Sequence, residues 1–422
     1  MKNFQKTILK NGLRVILIPQ PFSVATTVAV LVEAGSKYET KNINGLSHFL
    51  EHMCFKGTIK RPRPIDIAGE LDSLGAHYNA FTSREFTSYF AKVRNELTGK
   101  ALDLITDLYL NPSFKSEEIE KEKGVIIEEI NMYEDTPARN VQEIFMALVY
   151  GDQPAGWDVA GTKEIIQSLK REDFIKYRGE HYLPQSTVVV VTGGFDNQKI
   201  LEEIENYFAV LPFSQKFPKQ KVIDEQALPQ EKIKFKESDQ THLVMGFRAF
   251  ALSDKRRFAL EVLADILGGG MGSRLFQSIR EQLGAAYYVN ASSDLYSDHG
   301  LILMSAGVDH KKLEAVIETS LQEFKKFKEE KVSAAELQRA KDHLTGTTIL
   351  SIETSDALAY YYGGQEIMGL NLETPEELLK NIQAVTAEEI QSVANELFLN
   401  NNLNLALIGP FKDKSFHDIL IV

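Results

Sequence analysis

The chain has 422 residues, 43% hydrophobic and 25% charged, the composition of a globular protein long enough for two or three domains with developed cores. A net charge of −12 argues against nucleic acid or an anionic membrane as the main partner. No apolar run reaches bilayer length, and a single cysteine, Cys54, excludes an internal disulfide and points to a reducing compartment, hence the cytoplasm.

The opening stretch "MKNFQKTILKNGLRVILIPQ" lacks the apolar segment and cleavage site of a secretory signal. It predicts a strand, a turn at Asn11-Gly12 and a second strand. The segment "GLSHFLEHMCFKGT" (45–58) then places two histidines and a glutamate within five positions. On a helix, His48, Glu51 and His52 share an arc of about 100°, while Phe49 and Leu50 point elsewhere, toward a core. Imidazoles one turn apart can share a zinc ion, and the carboxylate between them can reach a water on it. The competing reading is a surface helix that happens to carry polar residues. Cys54 lies about 200° from His52 on the same helix and cannot join a metal; it reads as a buried small residue.

A third ligand is needed for a catalytic zinc. The segment 116–137, "SEEIEKEKGVIIEEINMYEDTP", predicts an acidic helix capped by Ser116. Glu122 and Glu129, seven apart, share one face, so that Glu129 could reach the metal with Glu122 two turns away as an orienter. Spacing alone leaves Glu128 as a rival, and leaves open a merely solvated acidic helix.

The chain repeats itself. "LKREDFIKYRGEHYLPQSTVVVVTGGF" (169–195) and "VTAEEIQSVANELFLNNNLNLALIGPF" (385–411) both read helix, loop, apolar strand, Gly-x-Phe. Segments 26–39 and 241–254, and 116–124 and 334–342, match at nearly the same offset. This predicts a duplicated α+β unit: a domain at 1–215, a polar linker at 216–232 and a homologous domain at 233–422. In the repeat, Leu263, Ile266 and Leu267 stand opposite His48, Glu51 and His52, and Ala340 and Thr347 opposite Glu122 and Glu129. Packing alone is served by apolar residues at the first three positions, so the polar set in the first half argues for a metal.

In the second half, "LGGGMGSRLFQSIREQLGAAYYV" (267–289) lacks the Gly-Lys-Ser/Thr ending of a phosphate loop. Arg280 and Tyr287 read, on their own, as a helix arginine and a strand tyrosine. His77 reads as an exposed strand residue, His181 and His343 have no partner at metal-ligand spacing, and "TGGFD" (192–196) is a turn before a helix cap.

His48-x-x-Glu51-His52 followed by Glu129 resembles the pitrilysin/insulinase family of inverted-zincin metallopeptidases, in its short processing-peptidase-like branch. "GAHYNAFTSREFTSYF" (75–90) resembles that family's Asn-Ala-x-Thr segment, and the two-halves organisation is also similar, so the resemblance covers essentially the whole chain. It implies two α/β-sandwich-like halves forming half of a clamshell, one zinc per chain on His48, His52 and Glu129, Glu51 as general base, and Glu122 supporting a ligand. It implies substrate contacts at Asn79, Ala80 and Phe81, and at Arg280 and Tyr287, with Tyr288 a near alternative for the last. The activity implied is endopeptidase action on oligopeptides or unfolded and targeting-type peptides in a closed chamber, by a homodimer in which each active site is completed by the other chain. The rival is a catalytically silent structural or partner subunit, a role in which such chains lose part of these motifs.

Overall fold

The computed structural model describes residues 4–422. In chain order, the first elements are β1 (Gln5–Ile8), β2 (Arg14–Pro19), β3 (Ala25–Val32), α1 (Leu46–Cys54), α2 (Pro64–Ser73), β4 (His77–Thr82) and β5 (Thr87–Arg94). There follow α3 (Thr98–Leu110), α4 (Ser116–Glu134), α5 (Pro137–Tyr150), α6 (Lys163–Ser168), α7 (Arg171–His181), β6 (Thr187–Gly193) and α8 (Asn197–Phe208). The remainder comprises β7 (Gln230–Phe235), β8 (Thr241–Ala249), α9 (Arg257–Gly268), β9 (Ala286–Leu295), β10 (Gly300–Val308), α10 (Leu313–Glu329) and α11 (Ala334–Ser351). It ends with α12 (Ser355–Ile367), α13 (Pro375–Ala384), α14 (Ala387–Leu397) and β11 (Leu403–Gly409).

The strands form two sheets, ordered β1-β2-β6-β3-β5-β4 and β7-β11-β8-β10-β9. In each, one pair is parallel, β2 with β6 and β7 with β11, and the other pairings are antiparallel. From β2 and β7 onward the two orders are the same. β6 opens at Thr187 and β11 at Leu403, the 216-residue offset of the sequence repeat. The chain is thus two homologous α/β halves, each built on a mixed sheet.

The apolar pattern of the strands explains the layering. β6 (TVVVVTG) is buried along its whole length because both faces of its sheet are covered, and a strand covered on both sides has no need of polar alternation. One face packs Val15, Val30, Val189 and Val191 against Phe49 and Leu50 of α1, Leu102 and Ile105 of α3, and Phe174 of α7. The other face packs Ile16, Leu31, Val188 and Val190 against Ala359, Tyr362 and Ile367 of α12. Gly363 admits this helix closely: a Cβ there would lie 3.0 Å from Val190 and 3.2 Å from Leu31. The second sheet repeats the scheme, with α9, α10 and α14 over one face and Val141, Phe145 and Val149 of α5 against Val244, Leu301 and Ala406 on the other.

Linear halves and compact units therefore do not coincide. One unit contains residues up to Asn131, Asp158–Gln220 and Leu350–Thr374; the other contains Met132–Trp157, Lys221–Ile349 and Pro375–Val422. The helices α5 and α12, which occupy matching places after α4 and α11 in the repeat, are exchanged between them. The connecting stretch has no helix or strand between Phe208 and Gln230, but it is tied down. Lys216 and Lys219 pair with Glu33 (2.6 Å) and Glu85 (2.5 Å) in the first unit. In the second, the Ile223 N–H donates to Gln153 (2.8 Å) and Asp224 pairs with Arg248.

Candidate metal centre

The site begins with how α1 is started. Gly45 takes φ +96°, and a Cβ there would meet the Ala160 carbonyl at 2.7 Å, so glycine is required. The buried Glu39 carboxylate accepts from the backbone N–H groups of Gly45 (2.8 Å) and Ser47 (2.6 Å) and from the Asn44 amide (3.0 Å). A carboxylate reaching back from the preceding loop thus satisfies donors at the helix N-terminus. Burial pushes the Glu39 carboxyl above its ordinary value, against the pull of these hydrogen bonds. Phe49, Leu50 and Met53 then bury into the core and leave His48, Glu51 and His52 together on the other side.

The second element is α4, seated by Ile119, Ile126 and Ile130. That register buries Glu122 and half-buries Glu129, while Glu128 is exposed and accepts from Asn131 on its own helix (3.4 Å). Glu129 Oε2 lies 3.6 Å from His48 Nε2 and 3.6 Å from His52 Nε2. Among the described residues these three form the one group of His, Cys, Asp or Glu side chains whose ligand atoms converge within 4.8 Å. Tetrahedral zinc with bonds of about 2.0–2.1 Å needs ligand atoms about 3.3 Å apart, so the donor set and its spacing fit zinc.

Glu122 Oε1 accepts from His52 Nδ1 (3.0 Å), which leaves the Nε2 lone pair turned toward Glu129. Its other oxygen pairs with Lys56 (2.7 Å). Burial disfavours the charged form of His52, but the Glu122 hydrogen bond and the charges of Glu51, Glu129 and Glu122 outweigh it and hold the imidazolium above its ordinary range. Burial likewise works against the Glu122 carboxylate, yet His52 and Lys56 bring it below the usual value. Glu51 is 9% exposed, and burial pushes its carboxyl up to about 7, against the Thr82 hydrogen bond and the His52 charge. Thr82 Oγ1 donates to Glu51 Oε2 at 2.6 Å.

Asn79, Ala80 and Phe81 lie on β4, the outermost strand of the first sheet, beside α1. Asn79 is exposed, and Phe81 packs edge-on against Phe86 and tilted against Tyr360 of α12. Arg280 and Tyr287 belong to the second unit. Arg280 is exposed on a π-helical turn, Phe276–Gln282, with its guanidinium over the Phe276 ring (5.0 Å). Tyr287 stands 74% exposed on β9, the outermost strand of the second sheet. The neighbouring Tyr288 is half-buried, with its hydroxyl 3.0 Å from His242 Nδ1. In the repeat, Leu263, Ile266 and Leu267 are core residues of α9. Ala340 is buried, and Thr347 bonds its own helix at His343 O (2.9 Å).

Sequence reasoning missed Glu39, Lys56 and Thr82. Lys56 lies two residues past the end of α1, where helix spacing no longer marks a face. Glu39 acts from the preceding loop and leaves no periodic mark, and Thr82 is present only as the last residue of the Asn-Ala-x-Thr segment, with no role read for it.

Comparison with known proteins follows the same lines. Residues 14–163 match the family model described as insulinase (peptidase family M16), and residues 168–344 the model described as peptidase M16 inactive domain. A Bacillus subtilis (strain 168) protein named uncharacterized zinc protease YmxG is 33% identical over 402 residues, 95% of this chain and 97% of its own. An uncharacterized zinc protease of Rickettsia felis is 36% identical over 418 residues, 97% of this chain and 98% of its own. The chain belongs to the insulinase (M16) peptidase family. Solved structures share the fold: a protease from Helicobacter pylori (TM-score 0.90, 23% identity, 96% of this chain and 99% of that one) is one. Another is a chain of complex III2 from Candida albicans (TM-score 0.86, 18% identity, 99% and 100%). No helix among the described residues is long and apolar enough to cross a membrane.

Proposed function

We propose that this chain is a zinc-dependent endopeptidase that hydrolyses oligopeptides or unfolded, targeting-type segments within an enclosed chamber, working in the cytoplasm as a homodimer. The observation that carries the reading is the convergence of His48, His52 and Glu129 with Glu51 on the same turn of α1. A zinc ion held by those three residues, one per chain, supplies a Lewis acid that lowers the pKa of water to about 7 and polarises a peptide carbonyl. Glu51 takes the proton of the attacking water and returns it to the leaving amine; Thr82 holds Oε2, which leaves Oε1 for the transfer. Glu122 fixes the His52 ring by accepting from Nδ1. No strand lies beyond β4, and at Asn79–Phe81 the Ala80 N–H is held by the Asn79 side chain (2.9 Å), a contact that an extended peptide added to this edge would replace. Tyr287 donates a hydrogen bond to the carbonyl oxygen as negative charge develops, and Arg280 binds the peptide beside it. These two residues serve the site of the other copy.

The test is turnover of quenched-fluorescent peptides. Wild type is expected to cleave, Glu51→Gln to lose about 10²- to 10⁴-fold in kcat, and chelation to abolish turnover until zinc is restored. An equimolar mixture of Glu51→Gln and Tyr287→Phe chains, re-paired at random, is expected to regain up to about a quarter of wild-type activity if two copies share each site. The silent-subunit reading draws on the inactive-domain match of residues 168–344 and on the likeness to the complex III2 chain. A zinc-loaded wild type no faster than Glu51→Gln would establish it.

A further inference from the structure

We propose that Thr82 is a positioning residue for Glu51, and that β4 thereby aligns the base with the same strand that receives the peptide. The inference rests on the reading of Glu51 as general base. Among the described residues, Thr82 is the one side chain that hydrogen-bonds the Glu51 carboxylate, at 2.6 Å to Oε2. A carboxylate on a helix otherwise turns about its last torsion with little hindrance, because that torsion has broad minima. A single short, charge-assisted hydrogen bond is enough to select one orientation.

The hydroxyl is itself fixed. Thr82 ends β4 and stands in register with Thr87, the first residue of β5. The two hydroxyl oxygens lie 3.2 Å apart, but each gives its single proton elsewhere, Thr82 to Glu51 and Thr87 to the Ala34 carbonyl at 2.8 Å. Thr82 is β-branched, which restricts its first torsion, and it faces the α1 side of the sheet, whereas Phe81 faces α12. Strand pairing with Thr87 and the β-branch, and not a relay of hydroxyl protons, therefore hold the Thr82 hydroxyl against the carboxylate. β4 is also the sheet's outermost strand, with no strand beyond it. A peptide added to that edge is placed by the β4 backbone, and the carboxylate by the side chain of the last β4 residue. The distance between scissile bond and base then depends on β4 at both ends, although the backbone that carries Glu51 belongs to α1.

The experiment compares Thr82→Val, which keeps the shape and removes the hydroxyl, with Thr82→Ser, which keeps the hydroxyl. Thr82→Val is expected to lower kcat about 10- to 100-fold with KM and bound zinc unchanged, and Thr82→Ser to stay within about threefold of wild type. In a Glu51→Gln background, Thr82→Val should have no further effect on the residual rate. A second readout needs no turnover. The Glu51 carboxylate stretch, isolated as the infrared difference between wild type and Glu51→Gln in alkaline buffer, should shift in Thr82→Val and hold its place in Thr82→Ser. An active wild type with Thr82→Val equal to it, an unshifted band, or equal losses in the Val and Ser variants would overturn the role. A wild type no faster than Glu51→Gln would overturn the peptidase reading and this role together.

Discussion

The carboxylate of Glu122 touches no position where a metal would sit, yet it decides how His52 is presented. It accepts from Nδ1 and is in turn gripped by Lys56. Removing it frees the ring and its tautomer. Glu122→Ala is expected to weaken zinc binding about 10- to 100-fold, read by competition with a chromophoric chelator, while Glu128→Ala leaves it unchanged. At this scale the sequence was readable where chemistry and periodicity coincide. His48, Glu51 and His52 announce themselves because three polar groups share a helix face that the repeat fills with Leu263, Ile266 and Leu267. Glu129 could not be told from Glu128 by spacing alone. The choice falls to Ile119, Ile126 and Ile130, whose burial sets the rotation of α4.

Elements carry their own tests. α1 is started by Glu39, a residue outside the helix, and Glu39→Ala strands buried N–H groups of Gly45 and Ser47. That should cost about 1–3 kcal/mol in chemical unfolding and loosen zinc binding with it, since the helix that presents His48 and His52 loses its anchor. At the end of α7, His181 is 6% exposed among the rings of Tyr38, Tyr177 and Phe217. Burial pushes its pKa down to about 4. The unfolded chain takes up this proton near 6.5 and the folded chain only near 4, so the residue is neutral in both states above that window and costs nothing there. As pH falls from about 6.5 to about 4 the unfolded state binds more protons, and folding stability drops by up to about 3 kcal/mol on this account. Urea midpoints measured across that range should fall more steeply for wild type than for His181→Phe. The helices and strands were largely legible from apolar periodicity and from the Asn11-Gly12 turn; α4 begins at Ser116, but Lys115, and not Ser116, supplies the carbonyl that opens it. The coverings were not, because a strand such as β6, apolar along its length, does not say which helix will lie on each face.

For the whole molecule, the decisive fact is the exchange of α5 and α12. The repeat was visible because strand and helix spacings recur at one offset, but crossing is a property of connections and leaves no residue-level mark. Its consequence is that neither linear half owns a complete core. Residues 1–220 expressed alone lack α12 and expose Ile16, Leu31, Val188 and Val190; residues 221–422 lack α5 and expose Val244, Leu301 and Ala406. Each fragment alone is expected to aggregate or to unfold without cooperativity. Co-expression of the two should give a soluble pair with one sharp calorimetric transition, and a pair that stays insoluble would count against the exchange as the reason.

The same crossing sets a timetable during synthesis. Ribosomes deliver chain from the N-terminus at about 5–20 residues per second. By the time Gln220 has been made, the helix that bears the two histidines and every strand of its sheet already exist, but the cover for one sheet face is encoded about 150 residues further on, at Ser355–Ile367. For roughly 7 to 30 seconds a nascent chain presents a bare stripe of valine, leucine and isoleucine, the kind of surface that holding chaperones bind. Ribosome stalling between those points, by a run of slow codons or a truncated message, should therefore leave a product that is insoluble although its metal-site residues are all present.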